Sequence, residues 1–243
     1  MPLLSVNFNF NLMFRKNIPN CITCINVLAG VMAIVCGSKG QQPLWGLRAF
    51  EWGFIFIAIG AVADFFDGFA ARALHAYSDM GKELDSLCDL VTFGVAPAVI
   101  LLNLMQQLGA DPWLAWGAVL IPVAGAVRLA RFNIDTRQTT TFIGLPIPAN
   151  AIFWIGYAAM VASGQALWLS EWYCFLPILL LECWLMNSPV RMFSLKIKNF
   201  SLATHWPQIS LVVALPVCCF ALGVGGLLWF ILYYILLSVA VRP

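Results

Sequence analysis

Eight apolar stretches, at 20–37, 50–73, 84–105, 112–131, 147–166, 171–188, 208–222 and 224–241, take up most of the chain and leave short connections between them. A run of about 20 mostly apolar residues is long enough to cross a bilayer as a helix. Within lipid only helices and closed barrels satisfy every backbone N–H and C=O, and a barrel needs alternating rather than continuous apolar character. The expected fold is therefore all-α: a polytopic membrane helix bundle of about eight transmembrane helices. Charged residues are 10% of the chain, against about 25% in a soluble domain, so a large soluble domain is excluded. The last two stretches meet at Leu222-Gly223-Val224-Gly225-Gly226, which reads as either a hairpin or one broken helix.

Lysine and arginine set the orientation, because they concentrate in cytoplasmic connections. With the N-terminus inside, Arg15, Lys16, Arg72, Lys82, Arg128, Arg131, Arg137, Arg191, Lys196, Lys198 and Arg242 lie on the inner side, and only Lys39 and Arg48 on the outer. Both termini are then cytoplasmic. The chain is expected in an inner (cytoplasmic) membrane, and the first stretch reads as a retained span rather than a cleaved leader. Residues 1–17 mix aromatic and basic side chains, which suits an interfacial helix or a loose tail. The eight cysteines include one C-x-x-C, Cys21 and Cys24, with no second pair at zinc spacing, so thiols are expected to pack as small hydrophobes.

Against this apolar background, Asp64, Asp67, Asp85 and Asp89 stand together at the inner end of the second and third stretches. Ionisable residues in membrane segments mark functional sites. Asp64, Asp67, Gly68, Ala71 and Arg72 share one helical face, and Gly81, Asp85 and Asp89 share another. Leu74 to Met80 between them suits a turn, so a helix hairpin brings the two acidic faces together. Four close carboxylates repel unless cations neutralise them. Oxygen-only ligands select hard cations such as magnesium, manganese or calcium. Glycine and alanine admit a bulky ligand, and an arginine fork suits phosphate oxygens. The set reads as a phosphate-ester site.

The string D-F-F-D-G-F-A-A-R, eight residues, then G-K-E-L-D-S-L-C-D resembles the signature of the CDP-alcohol phosphotransferase family, D-x2-D-G-x2-A-R-x8-G-x3-D-x3-D, at all eight fixed positions. The resemblance implies a six-helix catalytic core around two divalent metal ions, magnesium or manganese first and calcium as a further candidate. It implies Asp64, Asp67, Asp85 and Asp89 as metal ligands, with Asp89 also the catalytic base. Gly68, Ala71, Arg72 and Gly81 would line the nucleotide pocket. The strings at 18–26, 78–97, 128–133 and 142–149 are similar to those of bacterial and archaeal phosphatidylserine synthases. That likeness implies transfer of a phosphatidyl group from CDP-diacylglycerol to L-serine, giving phosphatidylserine and CMP, and a homodimer among membrane lipids. It assigns 1–17 to an N-terminal segment, 18–200 to the core and 201–243 to a C-terminal helix pair. No nucleic-acid partner is expected.

Other residues keep two readings. Asn20, Thr23 and Asn26 are nucleotide contacts, or a cap and interhelical bonds. Arg128 and Arg131 bind the serine carboxylate or a lipid phosphate, or are positive-inside anchors. Pro146 and Pro148 shape a loop over the site, or simply start a helix. Glu182 is a dimer contact, an interhelical bond or a buried acid; His75 and His205 read as solvated loop residues. Trp113, Trp116, Trp168 and Trp172 suit interfacial belts. A different acceptor (glycerol 3-phosphate, inositol phosphate or choline) would keep the acidic site and change its neighbour. An ion-coupled transporter would instead spread acids over several spans, and only Glu182 fits that pattern.

Overall fold

The structure, a computed structural model, describes residues 2–135, 142–192 and 206–241, and the side chains of these except for 2–16 and Phe142. Arg137, Lys196, Lys198, His205 and Arg242 lie outside the described residues, as do the Arg15 and Lys16 side chains. Helix α1 runs Pro2–Ser38 and α2 Ala49–Ala73. Helix α3, Asp79–Asp89, continues through a π-helical turn, Leu90–Val95, into α4, Ala96–Gln107. Helices α5, Pro112–Trp116, and α6, Leu120–Ile134, form one body joined by a 3-10 turn. Then come α7 Ile147–Ala162, α8 Trp172–Asn187, α9 Trp206–Leu222 and α10 Gly226–Val241.

These bodies coincide with the eight apolar stretches. Among the described residues, five segments are long and apolar enough to cross a membrane: Asn17–Ser38, Ala49–Ala73, Asp79–Gln107, Pro112–Ile134 and Trp206–Val241. Helices α7 and α8 have 16 residues each, about 24 Å at 1.5 Å per residue. For α7 the short length has a physical reason: 11 of its residues are buried, so it is packed in protein and meets little lipid. Its Phe153, Trp154 and Tyr157 anchor a core with Phe175 of α8 and Leu228 and Ile231 of α10. The Tyr157 hydroxyl donates to the Leu169 carbonyl, pinning the α7–α8 connection. A second core joins α1, α2, α4 and α7 around Phe50, Phe93 and Ile100.

The last segment is a hairpin, which resolves the two readings of its glycine-rich joint. The Tyr233 hydroxyl of α10 donates to Ser210 Oγ of α9 at 3.0 Å, across a separation of 23 residues that would span about 34 Å in a continuous helix. Gly223 turns the chain at φ +61°, and a Cβ on Gly226 would stand 2.1 Å from the Cys218 carbonyl oxygen. Helix α9 is peripheral, with Phe220 96% exposed.

Two features escaped the periodicity. Helix α3 begins at Asp79, five residues before the apolar stretch, because Ser78 caps it: its Oγ accepts from the Gly81 N–H at 3.0 Å. A short antiparallel ribbon, β3 Phe142–Ile143 with β4 Arg191–Met192, follows β1 Pro43–Leu44 and β2 Leu47–Arg48 in chain order. It ties the α6–α7 connection to the end of α8. Pro146 caps α7, which starts at Ile147 with Pro148 in its first turn, so both prolines act as helix starters.

Candidate active site

The hairpin of α2 and α3 forms as the faces required. The chain leaves α2 through His75 at φ +50°, a left-handed exit, and the Ala76 N–H bonds the Ala71 carbonyl at 3.0 Å. His75 is exposed, as a loop histidine. Oxygens of Asp64, Asp67 and Asp85 all lie within 4.8 Å of one another. At that spacing two unit charges repel by roughly 3–4 kcal/mol per pair at an effective dielectric of about 20. Asp67 Oδ2 and Asp85 Oδ1 are shielded from solvent with no hydrogen-bond donor. Converging carboxylates, orphaned oxygens and no imidazole or thiolate among them fit a hard divalent cation.

Asp89 stands apart from that trio, one helical turn beyond Asp85. Its Oδ1 accepts from Asn26 Nδ2 at 3.1 Å. Asn26 is fully buried, and its carbonyl accepts from Thr92 Oγ1 at 3.0 Å. The interhelical bond read for Asn26 is present, and its partner is Asp89. Thr92 lies in the π-helical turn, where the Ala96 N–H reaches the Val91 carbonyl five residues back. π-Turns recur at functional sites; this one turns Thr92 onto α1.

A cavity of about 210 Å³ opens beside the acids, walled by Asn20, Thr23, Gly68, Ala71 and Gly81 with Asp67 and Asp85. Thr23 Oγ1 donates to the Pro19 carbonyl at 3.0 Å. A Cβ on Gly81 would stand 3.0 Å from Asn20 Oδ1, so α1 and α3 approach closely there. Arg72 lies over Gly68, with Nη1 3.4 Å from where a Cβ would be.

A larger cavity of about 550 Å³ lies between the ends of α6 and α8, and Arg128 and Arg131 line it with Asn187 and Ser188. Arg128 is only 7% exposed and its Nε has no hydrogen-bond partner. Its guanidinium sits 5.8 Å from the Phe132 ring centroid and within electrostatic reach of Asp89. Arg131 Nη1 donates to the Asn187 carbonyl at 3.1 Å, and Asn187 Nδ2 donates to the Ala124 carbonyl at 3.0 Å. The acid hairpin is clamped to this wall: Lys82 Nζ reaches the Asn133 carbonyl at 2.5 Å and Asn133 Nδ2 reaches Ser86 Oγ at 3.0 Å. Asn187 and Ser188 carried no sequence signal, and Asn133 entered only as the last residue of the 128–133 string. An asparagine directly after the R-L-A-R-F run, where α6 ends, was the available hint.

Fold and site together define an integral membrane helix bundle with a carboxylate-rich polar chamber at one end. A family profile described as CDP-alcohol phosphatidyltransferase matches residues 16–242. A Bacillus subtilis protein named CDP-diacylglycerol--serine O-phosphatidyltransferase is 42% identical over 132 residues, 54% of this chain and 69% of that one. Proteins of the same name from Mycobacterium leprae and Methanocaldococcus jannaschii are 37% identical over 164 residues and 36% over 146. Those matches cover 64% and 60% of this chain, and 51% and 62% of the relatives, so the chain spans between half and about two thirds of their lengths. The chain belongs to the CDP-alcohol phosphatidyltransferase family.

Proposed function

We propose that this protein transfers the phosphatidyl group of CDP-diacylglycerol to L-serine, releasing CMP. The observation that carries this reading is the convergence of Asp64, Asp67 and Asp85 beside a cavity walled by Asn20, Thr23, Gly68, Ala71 and Gly81. A second, arginine-lined cavity lies at the ends of α6 and α8, and its Arg128 is within electrostatic reach of Asp89. The relatives' shared name supports serine as the acceptor.

In this reading Asn20, Thr23, Gly68, Ala71, Arg72 and Gly81 hold the cytidine diphosphate, with the Arg72 fork on phosphate oxygens. Asp64, Asp67 and Asp85 hold divalent cations, magnesium or manganese, which when bound supply charge neutralisation at the diphosphate. Arg128 and Arg131 receive the serine carboxylate and aim its hydroxyl at the lipid-linked phosphorus. Asp89, held by Asn26, takes the hydroxyl proton as the oxygen–phosphorus bond forms and the bond to CMP breaks. General-base help of this kind is worth about 10²–10⁴-fold.

The same reading orients the bundle. Arg72, Lys82, Arg128, Arg131 and Arg191 gather at the chamber end, whereas Arg48 starts α2 at the opposite end. The chamber then faces the cytoplasm, where serine is dissolved, with eight crossings and CDP-diacylglycerol entering from the inner leaflet. The test is CMP release by purified protein given CDP-diacylglycerol, manganese and, separately, serine, glycerol 3-phosphate, inositol phosphate or choline. Serine alone should support release. Release with another acceptor and not serine refutes the acceptor, and none with any acceptor refutes the activity.

A further inference from the structure

Glu182 lies on α8, away from the reaction chamber, and is 1% exposed. Its Oε2 is buried with no hydrogen-bond partner among the described residues. A carboxyl in this setting is costly unless something outside the chain partners it. The space for such a partner exists. Glu182 lines a cavity of about 170 Å³ whose walls are otherwise apolar, including Phe153, Trp168, Leu228 and Trp229. These walls come from α7, the α7–α8 connection and the first turns of α10, so the cavity sits toward the end of the bundle opposite the four aspartates. Trp168, Leu181 and Trp229 at its rim are half-exposed, on surfaces that face lipid.

The chemistry of the walls selects the ligand. Among the described residues no lysine or arginine lines the cavity, which disfavours an anion. One carboxyl with three aromatic rings is a setting for an organic ammonium: the carboxyl partners the charge, and ring faces attract a desolvated cation. At about 30 Å³ per water-sized group, the volume admits roughly five or six such groups, an ammonium with a few methylenes. A longer tail would remain in the bilayer at the tryptophan rim. We propose that the Glu182 cavity is a binding site for an alkyl-bearing ammonium amphiphile entering sideways from the membrane.

The tryptophans at the rim provide the readout. Full-length protein in phosphatidylglycerol nanodiscs is titrated with 11-bromoundecylammonium, and tryptophan fluorescence quenching is followed. A saturable component is expected, reduced in Trp229→Phe, and its half-saturation should rise at least tenfold in Glu182→Gln. Ala166→Leu fills the cavity with Glu182 intact and should also remove the saturable component, which covers a failure of Glu182→Gln to fold. Competition by dodecylamine alone identifies a free alkylamine as the occupant, and competition by phosphatidylethanolamine identifies an aminophospholipid; either supports the proposal. Quenching that never saturates, an ammonium half-saturation unchanged in Glu182→Gln, or 11-bromoundecanol quenching wild type with the same half-saturation as the ammonium overturns it.

Discussion

Gly60→Ala tests whether Asp89 is held in place by packing between α1, α2 and the π-turn. A Cβ on Gly60 would stand 2.5 Å from Thr92 Cγ2 and 3.0 Å from Asn26 Oδ1. Ordinary carbon contacts lie at about 3.5–4.0 Å, so α2 and the π-turn must part by about 1 Å. Those two neighbours are the groups that fix Asp89: Thr92 Oγ1 bonds the Asn26 carbonyl at 3.0 Å, and Asn26 Nδ2 bonds Asp89 Oδ1 at 3.1 Å. Overpacking of this kind costs about 1–3 kcal/mol of stability, and a misplacement of about 1 Å at a reacting group costs up to ~10²-fold in rate. CMP release should therefore slow by about 10- to 100-fold in kcat. The KM for CDP-diacylglycerol should move less, because Asn20, Gly68 and Gly81 wall a separate cavity. Thr92→Ser removes the offending methyl and keeps the hydroxyl, so the Gly60→Ala, Thr92→Ser double variant should recover most of the lost kcat. Wild-type kcat in Gly60→Ala, or a double variant as slow as the single, would refute the reasoning.

Asp89→Asn should abolish CMP release while CDP-diacylglycerol still binds, measured by turnover and by nucleotide binding; near-normal release removes Asp89 as the base. Asp64→Asn and Asp85→Asn should each weaken manganese binding, read by electron paramagnetic resonance, and unchanged affinity in both would sink the cation site. Arg131→Ala should raise the serine KM about tenfold or more, the scale of one hydrogen bond to a charged group, with the CDP-diacylglycerol KM unchanged. Gly226→Ala forces a Cβ to 2.1 Å from the Cys218 carbonyl oxygen and should lower the unfolding midpoint, at an expected cost of about 1–3 kcal/mol; an unshifted midpoint argues against the α9–α10 hairpin.

The acidic hairpin was legible because helical periodicity is local. Asp64, Asp67 and Asp85 converge as their spacing required, and the five-residue link from Leu74 to Ser78 turns the chain between them. The start of α3 was missed although Ser78 precedes an acidic first turn, because a hydropathy window passes over Asp79, Lys82 and Glu83 and places the start at 84. The π-turn was not readable. Leu90–Val95 is as apolar as any α-helix, and the added residue answers to Thr92 meeting Asn26, a contact across 66 residues. The β3–β4 ribbon and the Arg131–Asn187 bond were hidden for the same reason: two-residue strands carry no period, and a backbone carbonyl acceptor carries no residue type.

The two cavities differ in what builds them, and that difference bears on acceptor choice. The acid-lined cavity is made by α1, α2 and α3, whose contacts are close approaches over glycine and short side chains. Any enlargement there would displace the carboxylates that must stay within 4.8 Å of one another. The arginine-lined cavity is made by the ends of α6 and α8 with the ribbon strand β3, and its walls are long side chains and carbonyls. Arg131 can change there without moving α2 or α3, whereas Asn133 cannot, because its side-chain Nδ2 holds Ser86 Oγ of α3. In the proposed function, acceptor choice therefore resides in side chains such as Arg131 and Ser188 that touch only the larger cavity. Asn133 couples that cavity to the acids, so its replacement should impair turnover with every acceptor alike.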